Sequence, residues 1–264
     1  MRKNSTKEKI LNGETVVGTF VTFPSATIVE ICGHAGFDFV ILDAEHGPLT
    51  PSNCEDLIRA ADVTGMTPIV RVTYNHPKII LRYLDIGALG VQIPMVRTAD
   101  DARRAVEAVK YYPQGQRGMG GARASAWGMK GGFGNYIVES NRETMVIIQI
   151  ETKEAIDNIA EIVSVEGVDA VLIGRLDLSQ AMEIPGRTDD PMITNAVDRI
   201  IDAAQSAGVA IGLFELDAQR AIEYKARGVQ LYETWLGYFL SKAAGAYMQK
   251  VRGDETGTTA RADM

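Results

Sequence analysis

Short β-branched runs alternate with stretches of helical periodicity along almost the whole chain, and this rhythm constrains the fold more than any single residue does. Eight such runs lie at about Val16–Phe23, Phe37–Asp43, Pro68–Val72, Gly90–Met95, Met145–Glu151, Ala170–Gly174, Val209–Phe214 and Gln230–Thr234. Most are continuous apolar blocks, as strands covered on both faces should be. Helical spacing fills the intervals, for example Asp100–Lys110 with Ala102, Ala105, Val106 and Val109, and Ala196–Ala207 with Ile200, Ile201 and Ala204. Eight strand–helix units in 264 residues predict an α/β fold, a (β/α)8 TIM barrel forming a single domain over residues 1–252. A doubly wound open sheet is the competing architecture. Its first strand should enter a glycine-rich dinucleotide loop, whereas this one enters Thr22-Phe23-Pro24-Ser25. One Gly-rich segment, Tyr112 to Asn141, breaks the rhythm, and a long insertion at one end of a barrel reads as an active-site element. Residues 253–264 are small and polar and are expected to be a disordered tail.

Composition narrows the function classes. The formal charge is −7 and no Lys/Arg cluster forms the basic face that nucleic acid requires. No run approaches the ~20 apolar residues of a membrane span, and the first residues lack a signal-peptide core. The only cysteines, Cys32 and Cys54, suit a reducing compartment. A soluble cytoplasmic protein is expected.

In a parallel barrel the chemistry-bearing groups sit at the carboxyl ends of the strands. Here those ends are polar. The second run closes in Asp43-Ala44-Glu45-His46-Gly47-Pro48, the third in Arg71, the fifth in Gln149-Ile150-Glu151 and the sixth in Gly174-Arg175-Leu176-Asp177. Glu151 and Asp177 close consecutive strands, so their carboxylates can converge at the mouth. There they suit a hard cation such as Mg2+ or Mn2+, with water and substrate oxygens completing an octahedron. Helix N-caps and a metal-free acid–base pair are the other readings. His46 alone of the three histidines follows a buried strand beside two acids. A hydrogen bond to Asp43 would fix its tautomer and leave a base, and Asp85 is a second acid able to reach the ring. A histidine that merely holds a loop is the alternative. Arg71 ends an apolar run and needs an anionic partner, either a substrate oxyanion or a structural ion pair. Lys153 falls in a first helical turn facing solvent, which argues against a Schiff-base lysine. Gly118–Arg123 matches a dinucleotide fingerprint only loosely.

Six blocks in register, Leu42–Pro48, Pro68–Val72, Asp85–Val96, Tyr112–Gly118, Gln149–Thr152 and Val165–Asp169 leading to Asp177-Leu178-Ser179, resemble the HpcH/HpaI family of class II pyruvate aldolases over about residues 10 to 250. The resemblance implies a metal (Mg2+, Mn2+ or Co2+) on Glu151 and Asp177, a catalytic His46 supported by Asp43 and Asp85, and Arg71 on the pyruvate oxygen. It also implies Gln149 in the pocket and backbone amides of Leu176 and Asp177 on the pyruvate carboxylate. The implied partners are a small oxo acid and an aldehyde, in a hexamer, a trimer of dimers, with the C-terminal helix, about Leu236–Lys250, exchanged between neighbours.

Departures from the family pattern cluster where the aldehyde half should bind. Arg175 stands where most members carry proline, and is expected either to meet an extra anionic group of the substrate or to pair with Glu183 or Asp189. Glu215 and Tyr232-Glu233-Thr234-Trp235 replace small and apolar strand ends. The expected reaction is metal-dependent cleavage of a 4-hydroxy-2-oxo acid to pyruvate, or a close analogue, and an aldehyde. A metal-dependent 2-oxo acid decarboxylase or related carbon–carbon lyase is the first alternative. A non-catalytic oxo-acid-binding barrel is the second, and a poised His46 with Asp43 and Asp85 counts against it.

Overall fold

In the computed structural model, which describes residues 1–253, eight parallel strands close into a barrel in chain order. They are β1 (Val16–Val21), β2 (Phe39–Asp43), β3 (Thr67–Arg71), β4 (Gly90–Ile93), β5 (Met145–Ile150), β6 (Ala170–Ile173), β7 (Ala210–Phe214) and β8 (Leu231–Trp235). Each expected strand is present, with ends shifted by a residue or two. β8 closes the ring on β1, with Val16 opposite Leu231.

The continuous apolar blocks arise because both faces of each strand are buried. Inward positions such as Phe20, Phe39, Ile41, Ile69, Ile147 and Leu172 fill the barrel. The intervening Val40, Leu42, Val70, Ile148, Val171 and Ile211 pack against the surrounding helices. Burial of each such side chain contributes about 1.5–3 kcal/mol. Gly18 lies against the Phe39 ring, where a Cβ would collide with it, so the glycine lets a large aromatic fill that layer. Below, the helix Ser5–Leu11 starts at Asn4, whose side chain accepts from the Lys7 N–H, and inserts Ile10 into the inner cluster as a plug.

The segment from Tyr112 to Asn141 corrects one expectation. It forms a 3-10 turn, Arg123–Gly128, and most of a helix, Gly132–Glu143, and none of its residues lines the cavity at the mouth. Arg123 instead donates to the Ile86 carbonyl at 3.0 Å and pairs with Asp62 at 2.5 Å. Topology explains this: an insertion between a helix and the next strand belongs to the amino ends of the strands, away from the chemistry.

The helix Leu236–Arg252 buries only Leu236 in this chain. Phe239, Leu240, Tyr247, Met248 and Val251 are exposed along it. No described helix is long and apolar enough to cross a membrane. Residues 254–264, where the polar tail is expected, lie outside the described residues.

Candidate functional site

Toward the carboxyl ends of the strands the inward positions turn polar: Asp43 on β2, Arg71 on β3, Gln149 on β5 and Glu233 on β8. Above them opens a cavity of about 390 Å³. It gathers Asp43, His46, Arg71, Gln149, Arg175, Leu176 and Asp177, with Phe20, Phe214, Leu216 and Trp235 as apolar wall.

Arg71 and Asp43 are register partners on adjacent strands. The Arg71 Nε donates to Asp43 Oδ1 at 2.9 Å and Nη2 to Oδ2 at 2.7 Å, a bidentate pair. Nη1 has no hydrogen-bond partner among the described residues. The guanidinium stacks 4.5 Å above the Phe20 ring, which fixes its plane. Arg71 therefore has a structural ion pair and still presents one edge. Asp43 Oδ1 also accepts the backbone N–H of Glu45 at 3.1 Å and of His46 at 3.3 Å. This corrects the expected role of Asp43, which orients Arg71 and the His46 backbone and not the His46 ring. The imidazole is exposed, with Nε2 3.8 Å from Glu45 Oε2.

Glu151 is buried at the end of β5. Its Oε1 accepts the Met95 N–H at 2.6 Å and its Oε2 accepts from the Gln149 amide. At Gly174 a Cβ would come within 3.1 Å of the Glu151 Cβ and 3.4 Å of Oε2, so a side chain there would crowd that carboxylate. Asp177 follows the neighbouring strand, β6, in the first turn of Arg175–Ala181. Neither acid caps a helix. Thr152 caps the helix after β5, and Gly174 precedes the one after β6.

Burial pushes the Glu151 carboxyl up to about 7, against the pull of its Met95 and Gln149 hydrogen bonds, and the Asp177 and Glu45 charges add to the rise. Glu45 is likewise pushed up to about 7, by burial first; Arg71 draws it back, while Asp43 and Asp177 add to it. Its Oε2 is buried without a hydrogen bond. Among the described residues no three His, Cys, Asp or Glu side chains form a closed ion cage. What exists is an under-compensated cluster of hard carboxylate oxygens, Glu45, Glu151 and Asp177, of which Asp177 lines the cavity. That is the donor chemistry a divalent cation with water and substrate ligands requires.

These shifts have a sign in stability. The folded, cation-free protein keeps the Glu45 and Glu151 protons to about pH 7, while the unfolded chain gives them up near the ordinary carboxylate value of 4.5. Across that window the unfolded state binds fewer protons, so stability falls as pH rises. Thermal melts of cation-free protein should therefore shift downward between about pH 5 and about pH 7.5, with Mn2+ recovering the loss at the upper end. Melts that ignore both pH and Mn2+ would contradict this account.

Two further expectations are corrected. Asp85 ends the helix Pro77–Asp85, on the amino side of β4, and pairs with Arg117 at 2.8 Å. Within one chain it lies at the opposite end of the barrel from His46. Arg175 pairs with neither Glu183 nor Asp189. Its Nη2 donates to Glu215 Oε2 at 2.8 Å and to the Phe214 carbonyl at 2.9 Å. Glu215 also meets Arg220, whose other partner is Asp189. Arg175 thus enters the cavity wall sharing Glu215 with Arg220, its Nη1 buried without a hydrogen-bond partner.

Sequence reasoning left Glu45 and Gln92 out of the site and met Glu233 only as one of the departures at the end of the last strand. The Asp43-Ala44-Glu45-His46 run displayed Glu45 openly. For Gln92 the signal was a glutamine within an apolar strand, and for Glu233 an acid within another.

The HpcH/HpaI aldolase/citrate lyase family profile matches residues 17–236. A 2-keto-3-deoxy-L-rhamnonate aldolase of Escherichia coli O157:H7 is 34% identical over 227 residues, 85% of this chain and 84% of that protein. The crystal structure of an HpcH/HpaI aldolase from Desulfitobacterium hafniense DCB-2 superposes with a TM-score of 0.89 at 31% identity, covering 95% of this chain and 98% of that one. The citrate synthase SbnG superposes at 0.84 and 30% identity, over 94% and 98% of the two chains.

Proposed function

The chain belongs to the HpcH/HpaI aldolase/citrate lyase family and is a carbon–carbon lyase of the aldolase type, and on that footing we propose a divalent-cation-dependent reaction that splits a 4-hydroxy-2-oxo acid into pyruvate, or a close 2-oxo acid, and an aldehyde. The observation that carries the reading is the buried carboxylate cluster beside an arginine that keeps one edge open. The 2-keto-3-deoxy-L-rhamnonate aldolase named above points to 2-keto-3-deoxy sugar acids as the substrate class, and these are 4-hydroxy-2-oxo acids.

Glu151 and Asp177 would hold the cation, Mg2+, Mn2+ or Co2+. When bound, it supplies Lewis-acid stabilisation of the negative charge that C3–C4 cleavage leaves on the 2-oxo oxygen. Arg71, its plane held by Asp43 and Phe20, donates to that same oxygen, and the contact strengthens as charge develops. His46, at the rim of the cavity, takes the 4-hydroxyl proton directly or through a water as the C3–C4 bond breaks to aldehyde and enolate, and the same proton, or one exchanged from solvent, is returned to C3 of the enolate to give the 2-oxo acid. Backbone N–H groups of Leu176 and Asp177 receive the carboxylate of the 2-oxo acid, with Gln149 beneath. Phe20, Phe214, Leu216 and Trp235 exclude water from the developing enolate.

The test is pyruvate release from a panel of 4-hydroxy-2-oxo acids, coupled to lactate dehydrogenase, with oxaloacetate as control. His46→Ala should lose about 10²-fold or more on the aldol substrates while still decarboxylating oxaloacetate, which has no hydroxyl proton to remove. Turnover of oxaloacetate alone, equal in both proteins, replaces the aldolase reading with a decarboxylase.

We also place the protein in the cytoplasm, where its buried thiols, Cys32 and Cys54, stay reduced. The exposed apolar face of Leu236–Arg252 supports exchange of that helix between neighbours in a hexamer. Light scattering should give a mass near six chains; a monomer mass would end this part of the proposal.

A further inference from the structure

The interior of an eight-stranded parallel barrel is normally a dry apolar core, yet a line of polar side chains crosses this one at the floor of the cavity, which Gln149 and Glu233 line. Glu233 on β8, Gln92 on β4 and Gln149 on β5 are all within 2% of complete burial. Gln92 Nε2 donates to Gln149 Oε1 at 2.8 Å and lies 3.5 Å from Glu233 Oε2. Gln149 Nε2 in turn donates to Glu151 Oε2. Each amide orientation follows from the next. A carboxylate at Glu151 accepts only, so Gln149 must turn its NH2 upward and its oxygen toward Gln92. Gln92 must then offer its NH2 both to Gln149 and to Glu233.

Stability does not explain this line. Glu233 Oε1 and Gln92 Oε1 are buried without hydrogen-bond partners, and each such group costs about 1–3 kcal/mol. A leucine at Glu233 would fill the space without that cost. Burial also pushes the Glu233 carboxyl up to about 8, so near neutral pH it accepts from Gln92 mostly as a neutral group and adds little charge below the carboxylate cluster.

We propose that Glu233 is a positioning residue: by anchoring Gln92 it holds the Gln149 amide with its NH2 toward Glu151, and so keeps the Glu151 carboxylate aimed at the cation. Without the anchor Gln92 can rotate and Gln149 can turn over. The amide oxygen would then face the carboxylate, and a charge-assisted hydrogen bond becomes a repulsion. The inference rests on the reading of Glu151 as a cation ligand.

The experiment measures Mn2+ affinity directly, from the free-Mn2+ electron paramagnetic resonance signal, together with melting temperature. It uses wild type, Glu233→Leu, Glu233→Gln, Gln92→Leu and the double leucine variant. Glu233→Leu should melt no lower than wild type and bind Mn2+ about tenfold more weakly, the lower end of the loss seen when a ligand's hydrogen-bond partner is removed. Glu233→Gln should stay near wild type, because its amide oxygen still accepts from Gln92. The double variant should bind no more weakly than Gln92→Leu alone, since both break one line. A folded Glu233→Leu with wild-type affinity overturns the proposal, and so does a Glu233→Gln as weak as the leucine variant, or additive losses in the double. Should Glu233→Leu fail to fold, the contrast of Glu233→Gln with Gln92→Leu decides. Wild type that takes up no Mn2+ ends the cation reading itself, a result distinct from wild type and Glu233→Leu binding equally.

Discussion

Aldol cleavage falls by about 10³-fold or more when Glu151→Gln and Asp177→Asn are combined, the loss expected when several kcal/mol of transition-state charge stabilisation disappear. The substitutions change little in shape but remove both hard anionic donors. At Glu151 they do more. The Met95 N–H requires an acceptor at 2.6 Å, so a glutamine there turns its NH2 toward the Gln149 NH2, and two donors meet. Folding should not suffer, because burial already pushes the Glu151 carboxyl up and the Asp177 charge beside it adds to the rise, so the two acids oppose each other in the folded protein. Steady-state rates at saturating Mn2+, with melts alongside, test this. A folded double variant that keeps more than about a tenth of wild-type kcat would remove Glu151 and Asp177 from the reaction.

Arg71 is the second site of large effect, and it acts twice. Removing a donor aimed at a developing oxyanion costs about 10²–10³ in kcat, so Arg71→Leu should lose that much, with KM changing less. The same substitution strands Asp43, whose side chain is 2% exposed, without its bidentate partner. Breaking such a buried pair from one side costs about 3–5 kcal/mol, so the variant should also melt markedly lower. Arg71→Lys should rescue neither property fully, because an ammonium cannot span both Asp43 oxygens and stack on Phe20. Paired kinetics and melts check this. A stable Arg71→Leu with unchanged kcat would mean that the open guanidinium edge has no role.

The strands were legible because burial on both faces writes a local signal, a run of β-branched residues, and strand ends then locate the mouth. Asp43, His46, Arg71, Gln149 and Asp177 were found that way and do line one cavity. Whether a loop residue lies at the top or the bottom depends on whether it follows a strand or a helix. Asp85 and the segment from Tyr112 to Asn141 follow helices and fall at the bottom. Partner choice was not legible. Arg175 finds Glu215 forty residues on because the tops of β6 and β7 adjoin, and Gln92 meets Glu233 across a sequence separation of 141. Periodicity records which way a side chain faces and carries nothing about which distant group it meets.

The seam between β1 and β8 joins the two ends of the described chain, and Glu233 sits on it, paired in register with Gly18. During synthesis β1 leaves the ribosome long before its second neighbour exists. A nascent chain holding β1 to β7 already carries Arg71, Asp43, Glu151 and Asp177, yet it is an open ring with one edge unpaired on each side. Only the last strand brings Glu233 into the cavity floor and seals both edges at once. Closure across the longest span of the sequence is the slow kind of contact to form, so the protein finishes its chemistry and loses its exposed strand edges in one event.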